Sequence, residues 1–209
     1  LYLLGEQDRI VGVSGYAVRP PQVRREKPRV SAFISADVPK ILALDPDLVL
    51  CFSDLQAEIA ADLTRAGIAV HVFNQRDIAG ILAMIRTLGA MVGAGERANQ
   101  LATQLELRLS SVKAAADLRQ TKPRVYFEEW DDPLISGIGW VSELIEIAGG
   151  DDIFPELRHQ KSAKDRIIAP DAVRVAAPDV ILASWCGKKV VPDRIRKRDG
   201  WNQIPAVRN

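Results

Sequence analysis

Two histidines, two cysteines and one pair of adjacent glutamates are the groups in this 209-residue sequence best suited to catalysis or metal binding. His71 sits inside an apolar run, where a hydrogen-bonded core imidazole is the expectation. His159 falls in the basic stretch 158–166 and is expected to be solvated. Two isolated histidines cannot supply the set of His and carboxylate ligands that a bare transition-metal ion requires. Cys51 and Cys186 are far apart, with neither a CxxC nor a zinc spacing, and both lie near the ends of apolar runs. They are therefore expected to be buried free thiols. Glu128 and Glu129 would make an acid/base pair on paper. Adjacent strand residues point to opposite faces, however, so only one of them can face a ligand. Glu129, beside Trp130, is the expected one. GxSxG, Walker, HExxH and GxGxxG motifs are all missing, and Gly93-Ala94-Gly95 reads as a helix start. The chemistry that remains is non-covalent capture.

The aromatic residues point the same way. They make up 6% of the chain, yet several fall where predicted strands end: Tyr16, Phe33, Phe52 (followed by Ser53), Trp130 and Trp185 (followed by Cys186). In open parallel α/β sheets, ligands sit beyond the carboxyl ends of the strands. Rings at those ends suit a large, flat, partly apolar ligand. The alternative for Tyr16 and Phe33 is packing of loop against lobe. The stretch 129–140 carries a proline, two glycines and two tryptophans and reads as a shaped loop. It feeds a helix over 141–148, whose first amides could hold a polar or anionic group. Trp140 serves either that ligand or the core, and Trp201 is expected to pack into the body of its lobe.

An internal repeat indicates what positions these groups. Residues 38–52 (VPKILALDPDLVLCF) and 170–184 (PDAVRVAAPDVILAS) both run from a short amphipathic helix through Pro-Asp into an apolar strand. Near-continuous apolar strands of this kind lie in parallel sheets covered by helices. A weaker echo relates 3–10 to 147–153, each a helix end, a glycine stop and an acidic turn. The fold class is therefore α/β, as two lobes with mainly parallel sheets. Residues 94–119 predict one long helix between them, with Leu101, Leu105, Leu109 and Val112 at helical spacing. The expected divisions are 1–92 for the first lobe, 93–120 for the connecting helix and 121–209 for the second lobe. The repeat further predicts a strand ahead of Leu1, and a strand and a helix after Asn209, so the chain reads as a fragment. The net charge of +1 offers no field for nucleic acid. No apolar run approaches the roughly 18 residues of a membrane span.

The segments DRIVGVSGY (8–16), DVPKILALDPDLVL (37–50), FEEWDDPLISG (127–137) and WVSELIEIAGG (140–150), with one long helix between the halves, resemble the substrate-binding proteins of cobalamin and ferric-siderophore ABC importers. The third segment is closest to the cobalamin-binding branch. The resemblance implies a ligand held between two rigid lobes, delivery to a membrane permease, no catalysis, and an extracytoplasmic location, periplasmic or membrane-anchored. It implies a corrinoid as the transported ligand and a monomeric protein. Tyr16 falls where cobalamin binders place a tyrosine on the corrin, and Phe33 where they carry a tryptophan. Trp130 and Trp185 match the rim of the second lobe. Family members dock on the permease through one acidic residue per lobe; Pro39 occupies the first such position here, and Asp37 is the acid at hand. Two rival readings stand beside this one. A ferric siderophore or haem would use the same fold, with Arg19, Arg24, Arg25, Lys27, Arg29, Lys161, Lys164, Lys188 and Lys189 facing an anionic chelate. A chelatase-like α/β enzyme is the reading from another class.

Overall fold

The computed structural model describes residues 1–208 and divides into two units. Unit 1 holds Leu1–Gln75 and Ala79–Thr103, and unit 2 holds Arg76–Ile78 and the chain from Gln104 onward.

In unit 1, β1 (Val13–Ser14) pairs in parallel with β2 (Arg29–Ser31), and β3 (Val49–Cys51) pairs in parallel with β4 (Val70–Val72). Helix α1 (Val23–Glu26) precedes β2, α2 (Val38–Leu42) precedes β3, and α3 (Ala57–Arg65) precedes β4. Asp37 caps α2, its Oδ1 accepting from the Lys40 amide at 3.0 Å. Helix α4 (Ile78–Met91) has no counterpart in the sequence expectations. It runs to Gly93, whose positive φ of 70° reverses the chain into α5 (Gly95–Asp117). A Cβ on Gly89 of α4 would lie 2.1 Å from the Ala98 Cβ, so the two helices touch backbone to backbone at that point. The residues of α5 and its entry that reach the core are all alanines: Ala94, Ala98, Ala102 and Ala116. The larger side chains of the predicted stripe, Leu101, Leu105 and Leu109, are half-buried beside them, and Val112 is exposed.

Unit 2 is built around β5 (Arg124–Asp131). Val125 pairs with both Asp152 and Val180, and Glu128 with both Ser136 and Ala183. Strand β8 (Val180–Ala183) therefore runs parallel along one edge of β5. The other edge takes β7 (Asp151–Asp152), parallel, and then β6 (Leu134–Ser136), antiparallel. One face of β5 presents Tyr126 to a core of Trp201, Phe154, Val173, Ile204 and Trp185. The other presents Val125 to Val141 and Ile145 of α6 (Gly139–Ile147). Helices α7 (Pro170–Ala176), α8 (Pro192–Arg196) and α9 (Pro205–Arg208) complete the unit. The stretch predicted as a loop is in part a hairpin: β5 continues through Trp130 to Asp131 and turns at Asp132-Pro133 into β6.

The repeat is visible in the backbone. Among the described residues, Asp45 and Ala177 are the only non-glycine positions with positive φ, at 47° and 46°. Both precede the Pro-Asp pair of their copy. A Cβ costs roughly 1–2 kcal/mol in that conformation, so the same strained helix-to-strand turn is made twice.

Candidate functional site

Strands β1, β2 and β3 of unit 1 each end beside one aromatic ring. Tyr16 and Phe33 meet edge to face, with centroids 6.2 Å apart and planes at 81°. Phe33 and Phe52 stand 5.2 Å apart at 59°. The three rings are 57%, 41% and 42% exposed, which is far above what core aromatics show. They form a contiguous apolar face, and Gln56 fixes its spacing. The buried amide of Gln56 donates through Nε2 to the Phe33 carbonyl at 3.0 Å and accepts through Oε1 from the Phe52 amide at 2.9 Å. One side chain thus ties the exit of β2 to the exit of β3. Below the rings lies a cavity of about 530 Å³, lined chiefly by Val11, Val13, Leu44, Leu48, Leu50 and Ile59. Ser53 does not join the site. It is 1% exposed, and its Oγ accepts from the Leu55 amide and donates to Asp54, so it serves as a helix cap.

In unit 2 the end of β5 is a charge network. Glu128 is fully buried and accepts from Trp185 Nε1 at 2.8 Å and from both terminal nitrogens of Arg198. Glu129 points to the opposite face and receives Arg166 through two nitrogens, at 2.6 and 3.1 Å. Arg166 is itself buried and also donates to the Ser136 carbonyl, locking β6 against β5. Asp131 accepts from Lys188, and from Arg194 at 3.3 Å. Desolvation would push the Asp131 carboxyl up, but the hydrogen bonds and charge of Lys188, with Arg194, hold it below its usual range. The Lys188 ammonium lies 3.8 Å from the Trp130 ring centroid and 5.2 Å from that of Trp185.

This geometry corrects several expectations. Trp185 is 4% exposed, in the core with its N–H on Glu128, and offers no ring face to a solute. Trp130 is half-buried, with one face under Lys188 and its Nε1 on the Asp132 carbonyl at 2.9 Å. Trp140 is half-buried against the Val125, Val141 and Ile145 cluster. Cys186 is exposed rather than buried, while Cys51 is buried as expected. Although the residue as a whole is exposed, partial desolvation of its sulfur, and after it the Glu129 charge, push the Cys186 thiol up against the opposing charge of Arg166. Asp37 is exposed, its carboxylate engaged as the α2 cap. Among the described residues, no three His, Cys, Asp or Glu side chains group to hold a metal ion.

The first turn of α6 borders a second cavity, of about 330 Å³, with Arg76, Asp77, Glu143, Arg158, His159 and Lys161 in its wall. Gly139 is required there, because a Cβ would lie 2.8 Å from the Arg158 carbonyl oxygen and 3.0 Å from that of Arg76. Glu143 accepts from the Ile78 amide at 2.9 Å, and Arg158 from this wall pairs with Glu146.

Residues 1–209 match the family described as periplasmic binding protein. The chain belongs to that family. It is a family of solute-binding transport proteins, not of enzymes. An uncharacterized ABC transporter substrate-binding lipoprotein of Bacillus subtilis is 26% identical over 221 residues, covering 100% of this chain and 66% of the relative. A vitamin B12-binding protein of Yersinia pseudotuberculosis is 25% identical over 213 residues, covering 97% of this chain and 75% of the relative. The chain thus spans about two thirds to three quarters of the length of these relatives. Among solved structures, the apo periplasmic heme-binding protein RhuT of Roseiflexus superposes with a TM-score of 0.84 at 24% identity. That superposition covers 99% of this chain and 81% of the other.

Proposed function

We propose that this binding protein captures a corrinoid of the cobalamin type and delivers it to the permease of an ABC importer. The observation that carries the reading is the exposed wall of Tyr16, Phe33 and Phe52, three rings held at fixed spacing by Gln56. A corrin is a broad, mostly apolar disc with polar substituents at its edge. Stacked and tilted aromatic faces bind such a disc with little loss of side-chain freedom, because each ring turns about only two bonds. Trp130, Glu129, Trp140 and Cys186 remain second-unit candidates for the same ligand. Asp37 is proposed as the permease contact, and the protein works either free in the periplasm or on a lipid anchor.

Haem is the second reading, and Tyr16 is the observation that favours it. Its phenol is the most exposed of the three rings, and a tyrosine oxygen is an established type of haem-iron ligand. Parallel titrations with dicyanocobinamide and with hemin, followed by absorption, separate the two. The corrinoid reading expects saturable binding at micromolar or tighter levels that survives Tyr16→Phe. The haem reading expects hemin binding whose charge-transfer band disappears in that variant. Failure of any corrinoid to saturate the protein overturns the corrinoid reading.

A further inference from the structure

We infer that the arginine-rich turn between β1 and β2 is a contact for anionic phospholipid headgroups at the surface of the membrane that holds the permease. This rests on the reading of the chain as a permease-coupled binding protein, and not on which solute it carries. Residues 19–29 bring together Arg19, Arg24, Arg25, Lys27 and Arg29 with a single acid, Glu26. The whole chain has a net charge of +1, so the remainder of the molecule is net negative. Charge divided in this way turns the cationic part of a protein toward an anionic surface and the rest away from it. The turn is also held in shape. Val23, 2% exposed, anchors α1, and the Pro28 carbonyl accepts from the Val13 amide at 2.9 Å. Pro20, Pro21 and Pro28 restrict the backbone on either side of the helix. Arg19, Arg24, Arg25 and Arg29 are exposed, and Lys27 is half-buried.

Among the described residues, none of the five cations holds an ion pair or donates a side-chain hydrogen bond. Glu26, the one acid of the stretch, accepts instead from the Tyr2 hydroxyl at 2.8 Å. Arg65 and Lys113 are exposed too, yet each holds a carboxylate of its own helix, at 2.8 and 3.2 Å. The Lys40 ammonium adds a sixth cation, donating to the Arg29 carbonyl at 2.6 Å. Lys40 belongs to α2, whose cap is Asp37, so the cluster adjoins the residue proposed above as the permease contact. The ring wall lies further along β2: Arg29 opens the strand, and Phe33 follows its end. Residues 19–29 expose no ring and no large aliphatic side chain, the anchors on which protein interfaces depend. What they offer is unpaired guanidinium, which takes phosphate oxygens two at a time. A layer of phosphodiester headgroups matches a spread of such groups, and each cation near it strengthens binding about fivefold.

The test is co-sedimentation of the 209-residue chain with vesicles of phosphatidylcholine, pure or containing about a third phosphatidylglycerol. At about 0.05 M salt the chain is expected on the anionic vesicles alone, and at about 0.5 M salt, where screening is short-ranged, it is expected to leave them. Arg24→Gln with Arg25→Gln should weaken that binding about twentyfold, from about fivefold for each charge. The control, Arg65→Gln with Lys113→Gln, removes the same net charge elsewhere and should change it by less than about twofold. Tm should be unchanged in the Arg24 and Arg25 variant, since neither side chain holds a partner. Its affinity for dicyanocobinamide should also stay at the wild-type value; a fall there assigns the arginines to the solute and overturns the lipid contact. If the wild-type chain takes up no dicyanocobinamide, the corrinoid reading falls and the vesicle result stands by itself. Equal binding to neutral vesicles, no binding to anionic ones, or an equal loss in the control variant each overturn the proposal. Binding of soluble poly-glutamate as tight as that of the vesicles overturns it as well, and assigns the cluster to an acidic protein segment.

Discussion

Phe33 stands between the other two rings of the wall, so its removal is the sharpest test of corrinoid capture. A phenylalanine has on the order of 200 Å² to bury. At 41% exposed, Phe33 has about 80 Å² open to a ligand. At about 25 cal/mol per Å², covering that area contributes about 2 kcal/mol, which is roughly thirtyfold in affinity. Phe33→Ala is therefore expected to weaken dicyanocobinamide binding about thirtyfold, and Phe33→Trp to keep or tighten it. The assay is equilibrium titration followed through the corrin spectrum, with Tm recorded for each variant to separate lost contact from lost fold. Truncation also removes two ring contacts of about 0.5–1.5 kcal/mol each, so a modest fall in Tm is part of the expectation. A Phe33→Ala protein that stays folded and binds within about twofold of wild type would refute the wall, since the area argument leaves no room for so small an effect.

Gln56→Ala leaves the Phe33 carbonyl and the Phe52 amide without their partner, at about 1–3 kcal/mol of stability; chemical denaturation should show that loss, and corrinoid affinity should fall although no ligand contact is removed. Glu128→Ala leaves Arg198 and Trp185 facing a buried gap and should cost about 3–5 kcal/mol in the same assay. The folded Asp131 carboxyl titrates below its unfolded value. Its contribution is therefore full above the unfolded pKa, near pH 4, and is lost as pH falls through the lower folded value. Asp131→Asn should accordingly be less stable than wild type at neutral pH and lose less on acidification, as read by urea denaturation at several pH values. Asp37→Asn keeps the α2 cap, because asparagine caps as well as aspartate; if Asp37 touches the permease, transport should drop while solute affinity and Tm stay put.

The sequence was most informative where local rules and packing agree. The Pro-Asp repeat places β3 and β8 with the helices before them, because proline stops the helix and an apolar run of that length must enter a sheet. Rings at the exits of β1, β2 and β3 were legible for the same reason. What escaped was decided by partners distant in sequence. Trp185 looks like a rim residue until Glu128, 57 positions away, takes its N–H and draws it into the core. Residues 129–131 look like loop because the proline, glycines and tryptophans of 129–140 read as one, whereas Arg166, Lys188 and Arg194 neutralise Glu129 and Asp131 and let β5 continue into a hairpin. Gln56 carried a usable signal: an amide four residues beyond an exposed phenylalanine, at a helix start, can reach back to the strand exit. Helix α4 lacked one, since its run of small and apolar residues shows no polar face to reveal the period.

Charge bookkeeping at the end of β5 also bears on what the protein carries. An anionic ferric chelate needs cations that are not already neutralised. Lys188, counted among the basic residues of unit 2 that would serve such a ligand, is bound to Asp131 and covers Trp130. The buried guanidinium of Arg166 and the half-buried one of Arg198 are consumed by Glu129 and Glu128. Releasing Arg198 would leave the fully buried Glu128 carboxylate uncompensated, at several kcal/mol. That cost exceeds what one added contact to a solvated anion returns. In unit 1 the exposed surface at the strand ends is ring rather than charge. The same helix-to-strand plan thus gives one copy an apolar face open to a ligand and the other a self-neutralised network, and this division favours a neutral, disc-shaped solute over an anionic chelate.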